Sequence, residues 1–420
     1  MEILFLGGVF DDSHNKEIIS KTKTYVEYAA NNFQKKIING LKECNANIRV
    51  ISAPFLGAYP KAYSDIYFKG FSDNKNDQSG YEYVHFLNIW GIRNFSRKKA
   101  LKKAIRNFAE CDGDDKLIIV YTPHTPLIQA ANYAKSIDKN IKICLVVPDL
   151  PQYMNLADNV SKVYKMLKKF DVKTFMRENK GVDTYIVLTE AMIDKLEVEK
   201  RPYDVVEGIY QKADTWGNKS EKSVQKTIVY TGKLDKSFGI MNLIQAFSMI
   251  DNPNIRLLIC GNGEEASNVE RAAEKDKRII YKGQVASEEA RKFIIDGDIL
   301  VNPRQNNSEY TKYSFPSKII DYLATGNAVI AYKLDGMPDI YKEFITFIED
   351  DKIETLRDTL IQVLNMNNAQ TQLMAEKAKV YLENELSEKA VAKKILQLNF
   401  SKETIVVQLS RQKSKLFIMN

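Results

Sequence analysis

The chain has 420 residues, of which 44% are hydrophobic and 27% charged, and its formal net charge is +7. This length exceeds one usual hydrophobic core, so we expect two domains of roughly 150–200 residues each. No apolar run reaches the ~18–20 residues of a membrane span, and no basic region precedes the first apolar stretch, which argues against a transmembrane helix or a signal peptide. The positive charge suits an anionic substrate or membrane surface. Nucleic acid would also fit, but no helix-turn-helix, zinc-finger or RNP-type signature is present.

The first half of the chain alternates short apolar runs with longer amphipathic segments. Strands are predicted at EILFLG, NIRVISAP, KLIIVYTP, KICLVVPD and DTYIVLTE. Apolar residues at helical spacing predict helices at YVEYAANNFQKKIINGLKE, RKKALKKAIRNFAE and PLIQAANYAKSI. Such strands, separated by helices, indicate a parallel sheet covered on both faces.

A polar stretch near residues 201–226 separates this series from a second one. The second series has strands predicted at KTIVYTG, IRLLICG, RIIYKG, DILVNP and NAVIAY, and helical segments follow Lys352. The predicted fold class is α/β, with two Rossmann-like doubly wound domains at 1–205 and 206–385 facing a cleft, and a last helix and basic tail at 386–420. Ligands of such folds bind at the carboxyl ends of the strands.

The cysteines are isolated in the sequence. They are Cys44, Cys111, Cys144 and Cys260, with no CxxC pair or Cys/His spacing among them. This pattern predicts reduced thiols in a cytoplasmic protein, without a disulfide framework or a zinc site.

Three turns after strands of the second series are suited to a phosphate group. Gly232 and Lys233 follow one strand, Gly261 and Gly263 follow the next, and Arg304 follows a later one. Glycine lets backbone amides approach a ligand closely, and a helix N-terminus offers free N–H groups. Each glycine alone is also explained as a structural turn, but the three turns converge on one sheet edge.

The segment SEYTKYSFPSKIIDYLATG places Lys318 at the start of a predicted helix. A cation there is unfavourable because the helix dipole repels it. A bound diphosphate would explain the position, with Lys233, Arg304 and Lys318 supplying positive charge around it.

A Rossmann-type dehydrogenase is disfavoured by the glycine spacing. It requires G-x-G-x-x-G between a strand and a helix. GNGEEAS has Ala266 in place of the third glycine, FLGGVFDDS has the wrong spacing, and the sequence contains no P-loop. Hydride transfer is therefore not expected.

The stretches IVYTGKLDKSFGIMNLIQAF, LLICGNGEE, IIYKGQV and DILVNPRQNNSEYTKYSFPSKIIDYLATGNAVIAYKLDG resemble, in order and spacing, the retaining GT-B glycosyltransferases of family 4. YSFPSK is similar to the motif of a bacterial branch that assembles capsular or exopolysaccharide repeat units. The first half of the chain also resembles that branch, in AANNFQ, VVPDLPQYMNL and IVLTEAM. The resemblance runs from Met1 to about Leu398. It implies an acceptor domain, a nucleotide-sugar domain, and a last helix that crosses back to the first domain.

In the second domain the resemblance assigns Lys233 to the donor diphosphate. The family's second lysine falls on Phe238, so Lys236 or Lys318 would have to replace its charge. In the family, the backbone amides of one loop hold the sugar and the phosphate. That loop falls on Phe315, Pro316 and Ser317.

The family's paired glutamates fall on Tyr313 and Asp321. Asp321 keeps a carboxylate suited to the donor ribose hydroxyls. Tyr313 cannot accept a sugar hydroxyl as a carboxylate does, which puts the usual donor-sugar contact in doubt.

In the first domain the family often carries a histidine near the anomeric centre. Asp149 stands in that place, and His124 ends the preceding strand. His124 is alternatively a solvated turn residue, and Asp149 an N-cap. Gly7 and Gly8 follow the first strand, where they either approach the donor phosphate or form a tight turn.

Two acidic clusters, Asp112–Asp115 and Asp296–Asp298, resemble the D-x-D metal motif of the other glycosyltransferase fold. Each precedes a strand, and Asp-Gly favours turns, so we expect turns and no metal site.

The segment at 161–180 has apolar residues on one face and lysines on the other. It is a solvated surface helix or a docking face for anionic lipid.

The sequence thus predicts a membrane-peripheral, retaining glycosyltransferase at the inner face of the membrane. It would move a hexose or N-acetylhexosamine from a nucleotide-diphosphate sugar, with UDP favoured over GDP, to a lipid-linked glycan, without a metal or other cofactor. Two alternatives remain open. Tyr313 and Phe238 are compatible with a non-catalytic partner subunit, and a nucleotide-sugar epimerase shares the fold but needs more histidines than the three present.

Overall fold

The computed structural model describes residues 1–24, 26–70, 80–113, 115–154, 161–198, 200–211 and 225–400. The chain divides into two compact units. The first combines Met1–Ile209 with the segment that begins at Glu388, and the second is Tyr210–Ser387. Each is built on a parallel sheet, so the predicted α/β class with two Rossmann-like units is confirmed. The predicted basic tail lies outside the described residues.

The sheet of the first unit has seven parallel strands in the order β4-β2-β1-β6-β7-β8-β9, and β3 pairs with β5 in a separate antiparallel ribbon. The strands are β1 (Glu2–Gly7), β2 (Asn47–Ser52), β3 (Tyr67–Phe68), β4 (Tyr81–Tyr83), β5 (Phe86–Leu87), β6 (Lys116–Tyr121), β7 (Lys142–Val147), β8 (Thr184–Val187) and β9 (Tyr203–Val205). Five were predicted. The prediction of a linker from residue 201 is wrong at its start, because β9 pairs with β8 as an edge strand.

The helices of this unit are α1 (Asn15–Lys21), α2 (Tyr28–Glu43), α3 (Arg93–Glu110), α4 (Thr125–Ile137), α5 (Lys162–Glu178) and α6 (Met192–Lys195). They cover a sheet whose central strands are almost wholly buried: every residue of β6 is buried, as are five of the six in β1. Near-continuous apolar strands of this kind occur in sheets covered on both faces.

The second unit has six parallel strands in the order β12-β11-β10-β13-β14-β15. They are β10 (Lys226–Thr231), β11 (Ile255–Cys260), β12 (Ile279–Tyr281), β13 (Ile299–Asn302), β14 (Ala328–Tyr332) and β15 (Thr346–Ile348). Its helices are α7 (Ile240–Ser248), α8 (Ala266–Lys275), α9 (Ser287–Asp296), α10 (Lys318–Ala324), α11 (Ile353–Leu364) and α12 (Asn368–Tyr381). The chain moves outward from β10 to β12 and then returns to β13 on the other side of β10, which makes the β10–β13 pair the topological switch point.

The last described helix, α13 (Glu388–Phe400), belongs to the first unit and packs against α2. Gly40 of α2 lies so close that a Cβ there would be 1.9 Å from the Glu388 carbonyl oxygen. At the other end, buried Asn399 accepts a hydrogen bond at Oδ1 from Thr184 Oγ1 at 2.7 Å. The return of the chain to the first unit agrees with the predicted fold.

Candidate functional site

Two adjoining cavities lie at the carboxyl edge of the second sheet, around the switch point. The larger has a volume of about 460 Å³ and the smaller about 180 Å³. The two lobes share Thr231, Gly232, Lys233, Lys318 and Tyr322. The large lobe is further lined by Cys260, Gly261, Asn262, Gln284, Val285, Ser287, Ala290, Arg291, Ile294 and Asp321, and the small lobe by Tyr230, Phe238, Asn302, Arg304, Phe315, Pro316 and Ser317.

Lys318 lies at the junction of the lobes as the first residue of α10. The residue as a whole is exposed, but its ammonium is drawn back from bulk water and donates to the Thr231 carbonyl at 2.5 Å. This desolvation lowers the pKa of Lys318, and the Asp321 carboxylate partly opposes the shift. A poorly hydrated cation between two cavities is suited to a bound anion.

The glycines at this edge are required by close approach of the backbone. A Cβ at Gly232 would lie 2.9 Å from the Tyr230 hydroxyl and 3.1 Å from Lys318 Nζ. A Cβ at Gly261, whose φ is +145°, would lie 1.7 Å from the Gly232 carbonyl oxygen. Gly263 is outside both lobes and packs against Leu234 and Asp235, so its absent side chain is explained by packing of the chain.

Two further cations flank the lobes. Lys233 lines both and is 68% exposed, and its Nζ lies 2.8 Å from Asp235 Oδ2. The guanidinium of Arg304 lies 5.6 Å from the ring centre of Phe238 and 5.7 Å from that of Tyr310. Phe238 stands where the resemblance expects a second lysine, and the Arg304 guanidinium lies over its ring. Burial lowers the pKa of Arg304.

The residues that fall on the glutamate pair separate in the structure. Asp321 lines the large lobe, whereas Tyr313 is buried and lines neither. The Tyr313 hydroxyl is 3.4 Å from Glu309 Oε1. The expectation that Tyr313 contacts the donor therefore has no support from its position.

Sequence reasoning missed several lining residues. Gln284 and Arg291 belong to the turn after β12 and to α9, and no motif marked them. Tyr322 is fully buried beneath Lys318, and its hydroxyl accepts a hydrogen bond from the Thr231 N–H at 3.2 Å. The spacing of Tyr322, four residues after Lys318 on the same helix face, was a usable signal.

The carboxyl edge of the first sheet is filled differently. The Gly8 N–H donates to Gln34 Oε1 at 2.9 Å, and a Cβ at Gly8 would lie 2.6 Å from the Phe55 ring. A Cβ at Gly7 would lie 2.3 Å from Gln34 Oε1. The packing of Gln34 and Phe55 therefore accounts for both glycines, and neither lies in a turn.

His124 is not a solvated turn residue. It occupies the N-cap position of α4, and its Nδ1 is buried with no hydrogen-bond partner in the described part of the chain. Its ring packs edge-on at 5.8 Å from the Phe55 ring. Burial, reinforced by the charges of Arg97, Arg93 and Lys168, holds the pKa of His124 well below its usual range. The imidazole is therefore neutral at neutral pH.

Asp149 lies just after β7, at the same edge of this sheet. It does not cap a helix in the stretch described up to Met154, where the chain forms turns, so the N-cap alternative is wrong for those residues. Burial raises the pKa of the Tyr121 hydroxyl at the end of β6, and the charge of Asp149 adds to this shift.

Neither acidic cluster forms a metal site among the described residues. Asp298 Oδ2 accepts the Thr227 N–H at 2.8 Å and so fixes the start of β10. In the other cluster, Asp114 lies outside the described residues.

Helix α5 presents apolar side chains to solvent. The exposed fractions are 57% for Val163, 64% for Met166, 43% for Leu167 and 69% for Phe170. Trp90, Ile92 and Phe95, at the start of α3, are also at least half exposed. Both α3 and α5 pack against α4. We call these seven apolar residues and the lysines between them the α3–α5 surface. No helix in the described ranges is long and apolar enough to cross a bilayer.

Residues 213–380 match the model of a family described as glycosyl transferases group 1. A curated relative is the phosphatidylinositol N-acetylglucosaminyltransferase gpi3 subunit of Schizosaccharomyces pombe, 26% identical over 143 residues. That alignment covers 33% of this chain and 30% of the relative, so the chain matches less than a third of the relative's length.

Similar solved structures extend over nearly the whole chain. A glycosyltransferase from Rickettsia africae ESF-5 has a TM-score of 0.62 and 12% identity, covering 96% of this chain and 98% of that one. Anabaena HepE in complex with UDP has a TM-score of 0.59 and 12% identity, covering 94% and 99%. The lipopolysaccharide outer core galactosyltransferase WaaB has a TM-score of 0.59 and 11% identity, covering 96% and 100%. At these identities the likeness shows the fold, which is that of GT-B glycosyltransferases.

Proposed function

We propose that this chain, whose second unit is a glycosyltransferase group 1 domain, transfers a hexose or N-acetylhexosamine from a nucleotide-diphosphate sugar to a lipid-linked glycan with retention of configuration. The reaction would serve synthesis of a cell-surface polysaccharide such as a capsule or exopolysaccharide. The observation that carries the proposal is the pair of lobes that share the Lys318 ammonium at the switch point of the second sheet. Ligands of doubly wound folds bind at this position.

In this proposal the large lobe holds the nucleoside, and the small lobe holds the sugar. Asp321 accepts the ribose hydroxyls, and the diphosphate lies at the shared wall beside Gly232 and Lys318. Arg304 and the backbone of Phe315–Ser317 face the sugar side. UDP is favoured over GDP, and the similarity to HepE, which was solved with UDP, supports a uridine donor.

The chemistry breaks the bond between the anomeric carbon and the β-phosphate oxygen. The acceptor hydroxyl oxygen forms the new bond on the same face of the sugar, and its proton passes to the leaving phosphate oxygen. Negative charge grows on the diphosphate during this step, and the desolvated ammonium of Lys318 and the guanidinium of Arg304 stabilise it. Lys233 would stabilise the same charge, because its ammonium would leave the Asp235 carboxylate and pair with the phosphate.

We assign His124 and Asp149 to the acceptor side because both lie at the carboxyl edge of the first sheet. His124, being neutral, would act as a hydrogen-bonding group toward the acceptor, and Asp149 would offset positive charge that develops during transfer. In this mechanism neither residue needs to remove the acceptor proton.

Chelation tests the metal-free mechanism that we propose. Transfer, or slow hydrolysis of a nucleotide sugar, should survive excess EDTA, because lysines and an arginine neutralise the diphosphate. Complete loss of activity in EDTA that manganese restores would overturn this part of the proposal.

The non-catalytic subunit remains the second candidate. Phe238 stands where the resemblance expects a lysine, and Tyr313 stands where it expects a glutamate. The packing of Arg304 on Phe238 returns a cation to the small lobe and so weakens that candidate. A thermal-shift panel of nucleoside diphosphates and their sugars separates the two. A ligand at 100 times its dissociation constant stabilises a protein by about 2.7 kcal/mol, whereas a subunit without donor binding shows no shift.

We also propose that the α3–α5 surface docks on the anionic inner face of the membrane. α3 and α5 carry thirteen Lys and Arg against three Asp and Glu, whereas the whole chain carries 61 against 54. Apolar side chains between lysines bind anionic bilayers by insertion and by charge. Anionic vesicles should retain the protein and moderate salt should release it. Equal binding to neutral and anionic vesicles would reject the docking.

A further inference from the structure

Three basic side chains of the first unit gather around the tripeptide Pro54–Leu56, which follows β2. Arg93 donates through Nη1 to the Leu56 carbonyl at 3.0 Å, and Arg97 donates through Nη2 to the Pro54 carbonyl at 2.8 Å. His124 packs edge-on against the Phe55 ring between them. Arg93 and Arg97 are four residues apart on α3, so they share one helix face and repel each other.

Arg97 is a deeply buried charge. It is 2% exposed, its guanidinium lies 4.4 Å from the centre of the Phe86 ring, and its Nε has no hydrogen-bond partner among the described residues. Among ion pairs between described residues, none includes Arg93, Arg97 or Lys168. A buried charge is costly unless it is paired, and here main-chain carbonyls are the partners.

Lys168 of α5 adds a fourth basic group. Helix α5 packs against α4, whose N-cap residue is His124. The charges of Arg97, Arg93 and Lys168 add to the effect of burial in lowering the pKa of His124. Burial lowers the pKa of Lys168, and the Asp171 carboxylate opposes the shift. Asp171 also accepts Thr125 Oγ1 at 2.8 Å, which occupies one of its oxygens at the first turn of α4.

Two more features favour an anion at this cluster. The buried Nδ1 of His124 has no hydrogen-bond partner among the residues that the structure describes. His124 also marks the N-terminus of α4, a helix of 13 residues, and helix N-termini attract anions. Arginine offers a planar fork of donors that matches phosphate oxygens.

We propose that Arg93, Arg97, Lys168 and His124 form a binding site for a phosphate or diphosphate ester group of the acceptor. The proposal rests on the proposed function, since it names the chemistry of the acceptor for the same reaction. The ester belongs to a lipid-linked acceptor or to a soluble sugar phosphate. Trp90, Ile92 and Phe95 are exposed beside Arg93, which favours the lipid-linked source.

The test uses the full chain with the donor site disabled by Lys233→Met and Lys318→Met. Calorimetric titration with inorganic diphosphate should still show binding to this protein. Adding Arg93→Gln and Lys168→Gln should weaken it at least tenfold. Lys99→Gln and Lys169→Gln, which remove the same charge from exposed neighbours on the same helices, should change it less than twofold.

Unchanged diphosphate affinity after Arg93→Gln and Lys168→Gln would overturn the site, and so would an equal loss in the Lys99 and Lys169 variants. In a chain with Lys233 and Lys318 intact, Arg93→Gln and Lys168→Gln should leave UDP affinity unchanged. Failure of UDP to bind the wild type, in contrast, counts against the proposed function and not against this site.

A second titration distinguishes the source of the phosphate. Farnesyl diphosphate in detergent micelles should bind at least tenfold more tightly than inorganic diphosphate, and Trp90→Ser with Phe95→Ser should remove that gain. Equal affinity for the two probes would overturn the lipid-linked source and leave a soluble phosphate ester as the ligand of the same cluster.

Discussion

Both sheets place glycine directly after their first strand, but different neighbours require it. In the first unit, Gly8 follows β1, and the Phe55 ring and the Gln34 amide occupy the space around it. In the second unit, Gly232 follows β10 and faces a cavity, with the Lys318 ammonium 3.1 Å from where its Cβ would lie. A glycine at a strand end therefore indicates that there is no room for a side chain, but it does not identify the neighbouring groups.

The two edges also hold their basic groups differently. Lys318 hydrogen-bonds to a main-chain carbonyl at the wall of an open cavity. His124 is half-buried and packs against Phe55, and burial together with the charges of Arg97 and Arg93 keeps its imidazole neutral. We infer that the second edge binds the donor diphosphate, and that the first edge binds an anion only through its basic cluster.

The largest expected effect comes from Lys318→Met. Loss of one preorganised electrostatic donor should lower kcat/KM about 10²–10³-fold, or about 2.7–4 kcal/mol of transition-state stabilisation. The variant should keep its fold, because methionine retains most of the stem and removes a desolvated charge. Steady-state kinetics of nucleotide-sugar hydrolysis or transfer measures the loss, and Lys312→Met serves as an exposed-lysine control. Normal turnover in Lys318→Met would make Lys318 a structural residue.

Gly8→Ala tests the claim that packing alone requires this glycine. Its new Cβ would lie 2.6 Å from the Phe55 ring, and overpacking of this kind costs about 1–3 kcal/mol. Phe55→Leu should restore part of the free energy of unfolding in the double variant. Gly113→Ala, whose Cβ meets its nearest atom at 3.5 Å, is the control, and urea unfolding is the measurement. Additive losses from Gly8→Ala and Phe55→Leu would contradict the contact.

Acid should weaken the first unit through His124. Its pKa is lowered in the folded state, so the unfolded chain binds this proton more readily. The contribution to stability is complete above the ordinary pKa near 6.5 and is lost as pH falls below it, by up to about 1.4 kcal/mol per pH unit. The other charged groups around His124 are Arg93, Arg97 and Lys168, and Asp171 lies on the neighbouring helix. His124→Gln should therefore show a smaller fall in the urea midpoint between pH 7.5 and 5.5, and an identical fall would disprove the assignment.

The smallest effect is expected from Tyr313→Phe. Its hydroxyl lies 3.4 Å from Glu309 Oε1, and the residue lines neither lobe. We therefore expect kcat/KM to change less than about twofold, or about 0.4 kcal/mol. Asp321→Asn is the contrasting variant and should lose about tenfold or more, since hydrogen bonds to a charged group contribute about 1.5–3 kcal/mol. Equal losses of kcat/KM in the two variants would indicate that Tyr313 belongs to the donor site.

The sequence predicted long buried elements better than short edges. The five predicted strands of each series recur in the structure, and nine of these ten lie inside a sheet. The exception is β12, a three-residue edge strand that its apolar run identified. The edge strands β4, β9 and β15 have three residues each, too few for a pattern, and β9 lies in a stretch whose polarity suggested a linker.

At the site, local motifs identified residues that follow a strand or begin a helix, such as Gly232 and Lys318. They could not identify Gln284 and Arg291, which reach the large lobe only through the packing of α9. Nor could they show that Tyr313 turns away from the lobes or that Gly263 packs against Leu234, because both depend on tertiary contacts.

Hydrogen–deuterium exchange with and without UDP tests most directly whether the second edge is the donor site. UDP in the presence of EDTA should slow exchange at 231–233, 260–263 and 315–322, the segments around the shared wall of the lobes. Lys318→Met should abolish this protection at the same UDP concentration, while Lys312→Met should preserve it. Protection confined to the first unit, around residues 7–8 and 53–56, with no change at 315–322, would contradict the assignment of the donor site.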